Sequence, residues 1–220
     1  MISQTEENYL KALYNLTYLK GEASVNEISK RLEIKMPTVN SMMKKLSEKG
    51  LVHYESYKPL KLTEEGKKKE AALIIRKHRL TEMYLVEKMG FAWDEVHQIA
   101  EQIEHIHSPE FFTKMDQLLG YPTVDPHGSP IPDHNGVMRS ESYIFLDTCK
   151  TGDVVTLMAV QPSSKELLQY LSAKDLELGT TLTILSIEPF DNSITVSYGD
   201  RTSAVLSSKV TATLLVRPIS

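Results

Sequence analysis

The 220-residue sequence predicts a mainly α-helical N-terminal winged helix-turn-helix with further helices after it, followed by a small all-β, SH3-like barrel. Three observations carry this. Apolar residues recur at helical spacing, with capping signals, through residue 119. Two short helices with a tight connection precede a short hairpin. From residue 142 onward the pattern changes to β-rich runs separated by turn residues.

The elements follow in order. Residues 4–20 read as an amphipathic helix, with Ser3 and Glu6 as a capping box, Tyr9, Leu13, Leu16 and Leu19 on its apolar face, and Gly21 as its stop. Ser24 and Glu27 form a second capping box for a helix through Leu32. A third helix begins near Pro37, carries Val39, Met42, Met43 and Leu46 inward, and stops at Gly50. In a helix-turn-helix this third helix enters the major groove, with Lys35, Thr38, Asn40, Ser41, Lys44 and Lys45 exposed on it. Pro37 starts the helix, and its ring is also placed to touch a thymine methyl. Residues 51–62 read as two short strands turning near Tyr57-Lys58-Pro59, which sets Lys58 at a basic hairpin tip. A helical protein–protein module built from the same three helices is the alternative to DNA binding.

Residues 64–89 predict a long helix that opens with the solvated or phosphate-facing run Lys67-Lys68-Lys69 and ends at Gly90. A further helix spans His97–His105, and Ser108-Pro109 starts one that runs to Leu119. Residues 121–142 are a junction loop in which His127 and His134 read as turn-region polar residues. Strands are expected at 154–160, 181–187, 193–197 and 211–216, with a short helix over 163–172.

Charge is distributed unevenly. Residues 1–80 hold 16 Lys+Arg against 10 Asp+Glu, residues 81–140 hold 3 against 10, and residues 141–220 hold 6 against 9. A basic first third before an acidic middle suggests a polyanion-binding module joined to a cation-binding one. The single cysteine, Cys149, excludes an internal disulfide framework and suits a reducing cytoplasm. No apolar span long enough for a membrane occurs, and no small organic substrate is indicated.

The acidic middle holds a patterned set of donors. His97, Glu101, Glu104 and His105 fall on one face of their helix, opposite Val96, Ile99, Ala100, Ile103 and Ile106, which can pack as a core or as a dimer seam. His78 and Glu82 repeat the i, i+4 spacing upstream. Imidazoles and carboxylates converging from two helices are the ligand set of a divalent transition metal. The bland alternative is a solvated face with incidental histidines.

The stretches Met36-Pro-Thr-Val39, Leu62-Thr-Glu-Glu-Gly66, Arg76-Lys-His-Arg-Leu80 with Glu82, Val96–His105 and Asp125-Pro-His-Gly-Ser-Pro-Ile-Pro132 add a resemblance. Through them the chain resembles the diphtheria-toxin-repressor and manganese-transport-regulator family of metal-dependent transcriptional repressors. The resemblance implies a homodimer with three regions: a winged helix-turn-helix DNA-binding domain (1–66), a helical metal-binding and dimerisation domain (67–140), and an SH3-like, FeoA-like C-terminal domain (141–220). It implies Mn(II) or Fe(II) as cofactor and a palindromic double-stranded operator controlling metal-uptake genes. It places His78, Glu82 and His97 in one metal site, and Glu101, Glu104 and His105 with Asn8 in the other. The chain departs from the family at three positions. Iron-sensing relatives have Met matching Asn8 and Cys matching Glu101; manganese-sensing relatives have Asp matching Asn8 and Glu matching Lys11. The Glu101 carboxylate leans the site towards Mn(II). Glu7, or Glu166 and Gln169 from the barrel, are the candidates to complete the sites. The competing readings are a metal-independent DNA-binding regulator and a metallohydrolase.

Overall fold

The structure is a computed structural model that describes residues 2–138 and 142–219, without the side chains of residues 18–20, 68 and 69. The side chains of Leu19, Lys68 and Lys69 and the 140/141 boundary therefore lie outside the described residues. The chain divides into two compact units: Met1–Thr81 with Ala100–Tyr121 and Ile131–Arg139, and Glu82–Ile99 with Pro122–Pro130 and Ser140–Ser220.

In the first unit, helix α1 (Gln4–Lys20) opens on a capping box. Ser3 Oγ accepts from the Glu6 N–H, and Glu6 Oε2 accepts from the Ser3 N–H at 2.7 Å. Helix α2 (Val25–Leu32) opens in the same way on Ser24 and Glu27. Helix α3 (Met36–Glu48) has Pro37 in its first turn, where the missing N–H costs nothing. Strands β1 (Val52–His53) and β2 (Lys61–Leu62) pair antiparallel as the wing. Ala23 bridges Leu60, which ties the start of α2 to the wing. Tyr9, Leu10, Leu13, Ile28, Met43, Leu46 and Leu60 bury almost completely in a single core. At roughly 1.5–3 kcal/mol per buried large apolar side chain, this cluster sets where α3 presents its outer face.

The long helix expected over 64–89 is present with an irregular start. Residues Gly66–Ala71 form a π-helical segment before α4 (Ala72–Met89). A Cβ on Gly66 would lie 2.0 Å from the Leu51 carbonyl oxygen, so the wing and this helix approach each other more closely than any other residue allows. Helix α5 covers His97–Ile103, so Glu104 and His105 sit just beyond its assigned end, although the Glu104 N–H still donates to the Ala100 carbonyl at 2.9 Å. Helix α6 covers Pro109–Leu118, capped by Ser108.

The second unit is built on a six-stranded antiparallel sheet in the order β3-β8-β4-β5-β6-β7. Its strands are β3 (Ile144–Phe145), β4 (Val154–Val160), β5 (Thr181–Ile187), β6 (Ile194–Tyr198), β7 (Arg201–Leu206) and β8 (Leu214–Pro218), with α7 (Lys165–Ser172) after β4 and α8 (Ser208–Thr211) before β8. Alternation along β4 and β6 turns Val155, Leu157, Ile194, Val196 and Tyr198 into the core, and Val160 joins them after a register shift in β4. The sheet is open at β3 and β7 among the described residues, so the expected small all-β domain is present as a sheet that does not close into a barrel. The strand expected over 211–216 is also shifted: residues 208–211 form a helical turn, and the strand begins at Leu214. No helix among the described residues is long and apolar enough to cross a membrane.

Candidate metal centre and nucleic-acid interface

The first unit gathers His78, Glu101, Glu104 and His105 around one face of α1. Glu104 is fully buried, and its two oxygens have different surroundings. Oε2 accepts from Lys11 Nζ at 2.7 Å and from His78 Nδ1 at 2.5 Å. Oε1 has no hydrogen-bond partner and lies 3.7 Å from His105 Nε2. Lys11 Nζ also donates to Glu101 Oε1 at 2.7 Å and stands 3.1 Å from His78 Nδ1. His105 Nδ1 is 2.6 Å from Glu7 Oε2. A carboxylate can only accept, so this contact puts a proton on Nδ1 and leaves Nε2 as the ring nitrogen on the Glu104 side. A carboxylate that fixes the tautomer of a ligating histidine in this way is the usual outer support of a metal site.

Asn8 Oδ1, one residue after Glu7, is likewise buried without a hydrogen-bond partner. Orphaned buried acceptors are rare because each forfeits its hydration. Glu104 Oε1 and the adjacent His105 imidazole, with Asn8 Oδ1 on the residue that follows Glu7 along α1, are hard oxygen and borderline nitrogen donors, and this set fits a divalent cation of the manganese or iron type. A separation of 3.7 Å between Glu104 Oε1 and His105 Nε2 is too long for a hydrogen bond but suits two ligands of one ion.

Glu82 and His97 belong to the second unit, where Glu82 is buried and His97 is largely exposed. His97 Nδ1 lies 3.1 Å from Glu82 Oε1. The sequence pattern missed His127, which is 3% exposed and 3.6 Å from Glu82 Oε2 through Nδ1, while its Nε2 donates to the Trp93 carbonyl at 2.8 Å. Glu82, Asp125 and His127 each offer a ligand atom within 4.8 Å of the others. Burial pulls the His127 pKa down, but the hydrogen bond and charge of Glu82, the charge of Asp125 and the Trp93 carbonyl outweigh it and raise it to about 9.

The Asp-Pro-His-Gly-Ser-Pro stretch explains that burial. Asp125 Oδ1 accepts from the His127 and Ser129 N–H groups at 2.9 Å each, and the His127 carbonyl accepts from the Val160 N–H on β4. Gly128 has φ +84°, and a Cβ there would fall 2.1 Å from the Met158 carbonyl oxygen. Of the two barrel candidates, Gln169 donates to Asp94 at 2.9 Å and Glu166 stands exposed in the first turn of α7. Trp93 Nε1 donates to Ser172 at 2.8 Å beside them.

On the basic face, Lys35, Pro37, Thr38, Ser41, Lys44 and Lys45 are exposed along α3, and Lys58 is exposed on the wing. Asn40 is half-buried and accepts from Tyr54 Oη at 3.4 Å. Lys45 and Lys49 pair with the buried Glu6 at 3.2 and 2.7 Å, and Lys58 pairs with Glu55 at 2.8 Å. Burial raises the Glu6 pKa, but the hydrogen bonds from Lys49, Ser3 and Lys45 overcome this and lower it from 4.5 to about 2. The stability linked to this depression is therefore fully present above the ordinary glutamate value and is lost as pH falls towards the folded one. Each tenfold change in proton affinity corresponds to about 1.36 kcal/mol. Discounting for the half-exposed lysines leaves about 1–2 kcal/mol in total. Thermal melts from about pH 7 to about pH 3 should show wild type above E6Q by a constant margin down to about pH 5 and a shrinking one below. A margin that stays unchanged across the acid range would remove the ion pairs from the account.

Family comparison agrees with this division of labour. Residues 1–60 match the N-terminal DNA-binding domain of the iron-dependent repressors, residues 63–133 their metal-binding and dimerisation domain, and residues 144–218 the FeoA domain. The chain is 34% identical to the diphtheria toxin repressor of Corynebacterium glutamicum over 193 residues, which are 83% of this chain and 84% of that protein. It is 35% identical to the iron-dependent repressor IdeR of Mycobacterium tuberculosis over 128 residues, 58% of this chain and only 55% of that relative's length. A solved manganese-dependent transcriptional repressor in complex with manganese superposes with a TM-score of 0.90 at 29% identity, covering 97% of this chain and all of that one. Members of this group are repressors rather than enzymes, which sets aside the metallohydrolase reading. The chain belongs to the iron-dependent repressor family, the metal-dependent transcriptional repressors that include the diphtheria toxin repressor.

Proposed function

We propose that this chain is a cytoplasmic, homodimeric transcriptional repressor that responds to Mn(II) or Fe(II), binds a palindromic operator and controls metal-uptake genes. The observation that carries the proposal is the orphaned, fully buried Glu104 Oε1 just past α5, 3.7 Å from His105 Nε2, with Asn8 Oδ1 on α1 a further buried oxygen that has no hydrogen-bond partner. Asn8, Glu104 and His105 would hold the ion, and Glu82, His97, Asp125 and His127 are a second donor set. When bound, the metal supplies coordinate bonds between α1 and the segment after α5.

The chain's own residues do the rest. Glu7 and Lys11 already tie α1 to residues 101–105, and Glu6 ties the start of α1 to Lys45 and Lys49 of α3. Consecutive side chains of one helix thus reach from the metal donors to the helix that reads DNA. Two reading helices must stand about one turn of DNA apart, and restraining α1 restrains that spacing. Residues 1–66 bind DNA, residues 67–140 bind metal and pair the protomers, and residues 141–220 form an SH3-like module. Register shifts between Leu157 and Ala159, between Ile184 and Ser186 and between Val196 and Tyr198 support that reading, because bulges bend the strands that carry them.

Gel shifts on the chain's own upstream region, after thorough chelation and with Mn(II), Fe(II), Zn(II) or Co(II) restored singly, test the reading. Tight binding should appear only with metal, with Mn(II) or Fe(II) most effective. Equal binding in chelator would make the chain a metal-independent regulator.

A further inference from the structure

Lys11 is the one lysine or arginine buried among the metal-site carboxylates in the described first unit, and it is 9% exposed. Its ammonium makes 2.7 Å contacts to Glu101 Oε1 and Glu104 Oε2 and stands 3.1 Å from His78 Nδ1. These three atoms are two carboxylate oxygens and an imidazole nitrogen, the donor types a first-row divalent ion takes. They surround a nitrogen that already carries a positive charge. On this side, therefore, Glu101, Glu104 and His78 do not fit a divalent cation: the volume is filled, and a further cation would sit against an ammonium with little water to screen it.

We infer that Lys11 is a resident cation that takes the place of a divalent metal between Glu101, Glu104 and His78, so that Glu104 is shared between an ammonium on Oε2 and a metal on Oε1. This rests on the proposed site at Asn8, Glu104 and His105. It restricts that region to one divalent ion per protomer. It also explains how a fully buried glutamate, beside a second carboxylate, is tolerated before metal arrives. The ammonium gives the metal-free chain part of the α1-to-residue-104 link that metal would complete, because Lys11 belongs to α1.

The test is the number of Mn(II) ions bound per protomer, measured by equilibrium dialysis and elemental analysis of the full-length chain, wild type against K11A, K11M and H105A. K11M keeps the methylene packing and covers the case in which K11A fails to fold. The Lys11 variants should each bind one more Mn(II) than wild type. Their metal-free melting temperatures should fall and be recovered by Mn(II). H105A should bind one fewer. Lys11 variants that bind as many ions as wild type, or fewer, while H105A loses one, would overturn the resident-cation inference alone. H105A that binds the wild-type number would overturn the underlying metal-site reading.

Discussion

Raising the salt concentration from 50 to 200 mM should weaken metal-loaded operator binding by roughly 10³–10⁵-fold. That is the loss expected when six to ten phosphates are neutralised and their counterions released. The excess of basic residues in this chain lies in residues 1–80, and the exposed members Lys35, Lys44, Lys45 and Lys58 lie on α3 and the wing. Two of them are not simple donors. Lys45 already shares Glu6 with Lys49, and Lys58 already pairs with Glu55. Contact with phosphate would exchange one anion for another at these positions, which releases less than a fresh neutralisation does. The salt slope should therefore rest most on Lys35 and Lys44, and K44A should reduce it by about one for each phosphate that Lys44 neutralises. Fluorescence anisotropy on a labelled operator across that salt range, at saturating Mn(II), measures it. A flat response would take α3 and the wing out of the interface.

Much of the reading head was legible because its signals are local. Ser3 with Glu6 and Ser24 with Glu27 are capping boxes complete within four residues, and both form. Pro37 and Gly50 bracket α3 by their own backbone preferences. What was not legible depends on partners distant in the chain. Strand β7 is largely exposed, carries no clean alternation, and exists because it pairs along β6. Thr211 and Thr213 look like strand residues by their β-branched side chains, but the Ser207 and Ser208 carbonyls draw the chain into a helical turn first. His127 lies in a stretch with every turn signal, and those signals are correct. Nothing local indicates that the turn packs on β4 and sinks the imidazole beside Glu82. The i, i+4 spacing found the histidines and glutamates of the candidate centre. It could not find Lys11, which stands out only as a departure from the manganese-sensing pattern and is buried by partners about ninety positions away.

Replacing Glu104 with alanine should both destabilise the chain and abolish its response to metal. The carboxylate is fully buried and accepts from Lys11 and His78 on one oxygen. Its loss leaves the Lys11 ammonium with Glu101, whose side chain is 40% exposed. Removing one partner of a buried ion pair costs about 3–5 kcal/mol, mostly because the remaining charge is stranded. The other oxygen has no hydrogen-bond partner, so the same substitution removes a donor from the proposed ion. The two losses are separable. E104Q keeps an oxygen for Lys11 while lowering the charge offered to metal, so it should melt closer to wild type and still fail to tighten on the operator with Mn(II). Adding K11M to E104A removes the stranded ammonium, so the double variant should recover stability relative to E104A alone without recovering the metal response. The coupling read from that cycle is the worth of the Lys11–Glu104 pair. An E104A chain that melts like wild type would mean that water reaches Lys11. An E104A chain that still responds fully to Mn(II) would move the sensing ion to Glu82, Asp125 and His127.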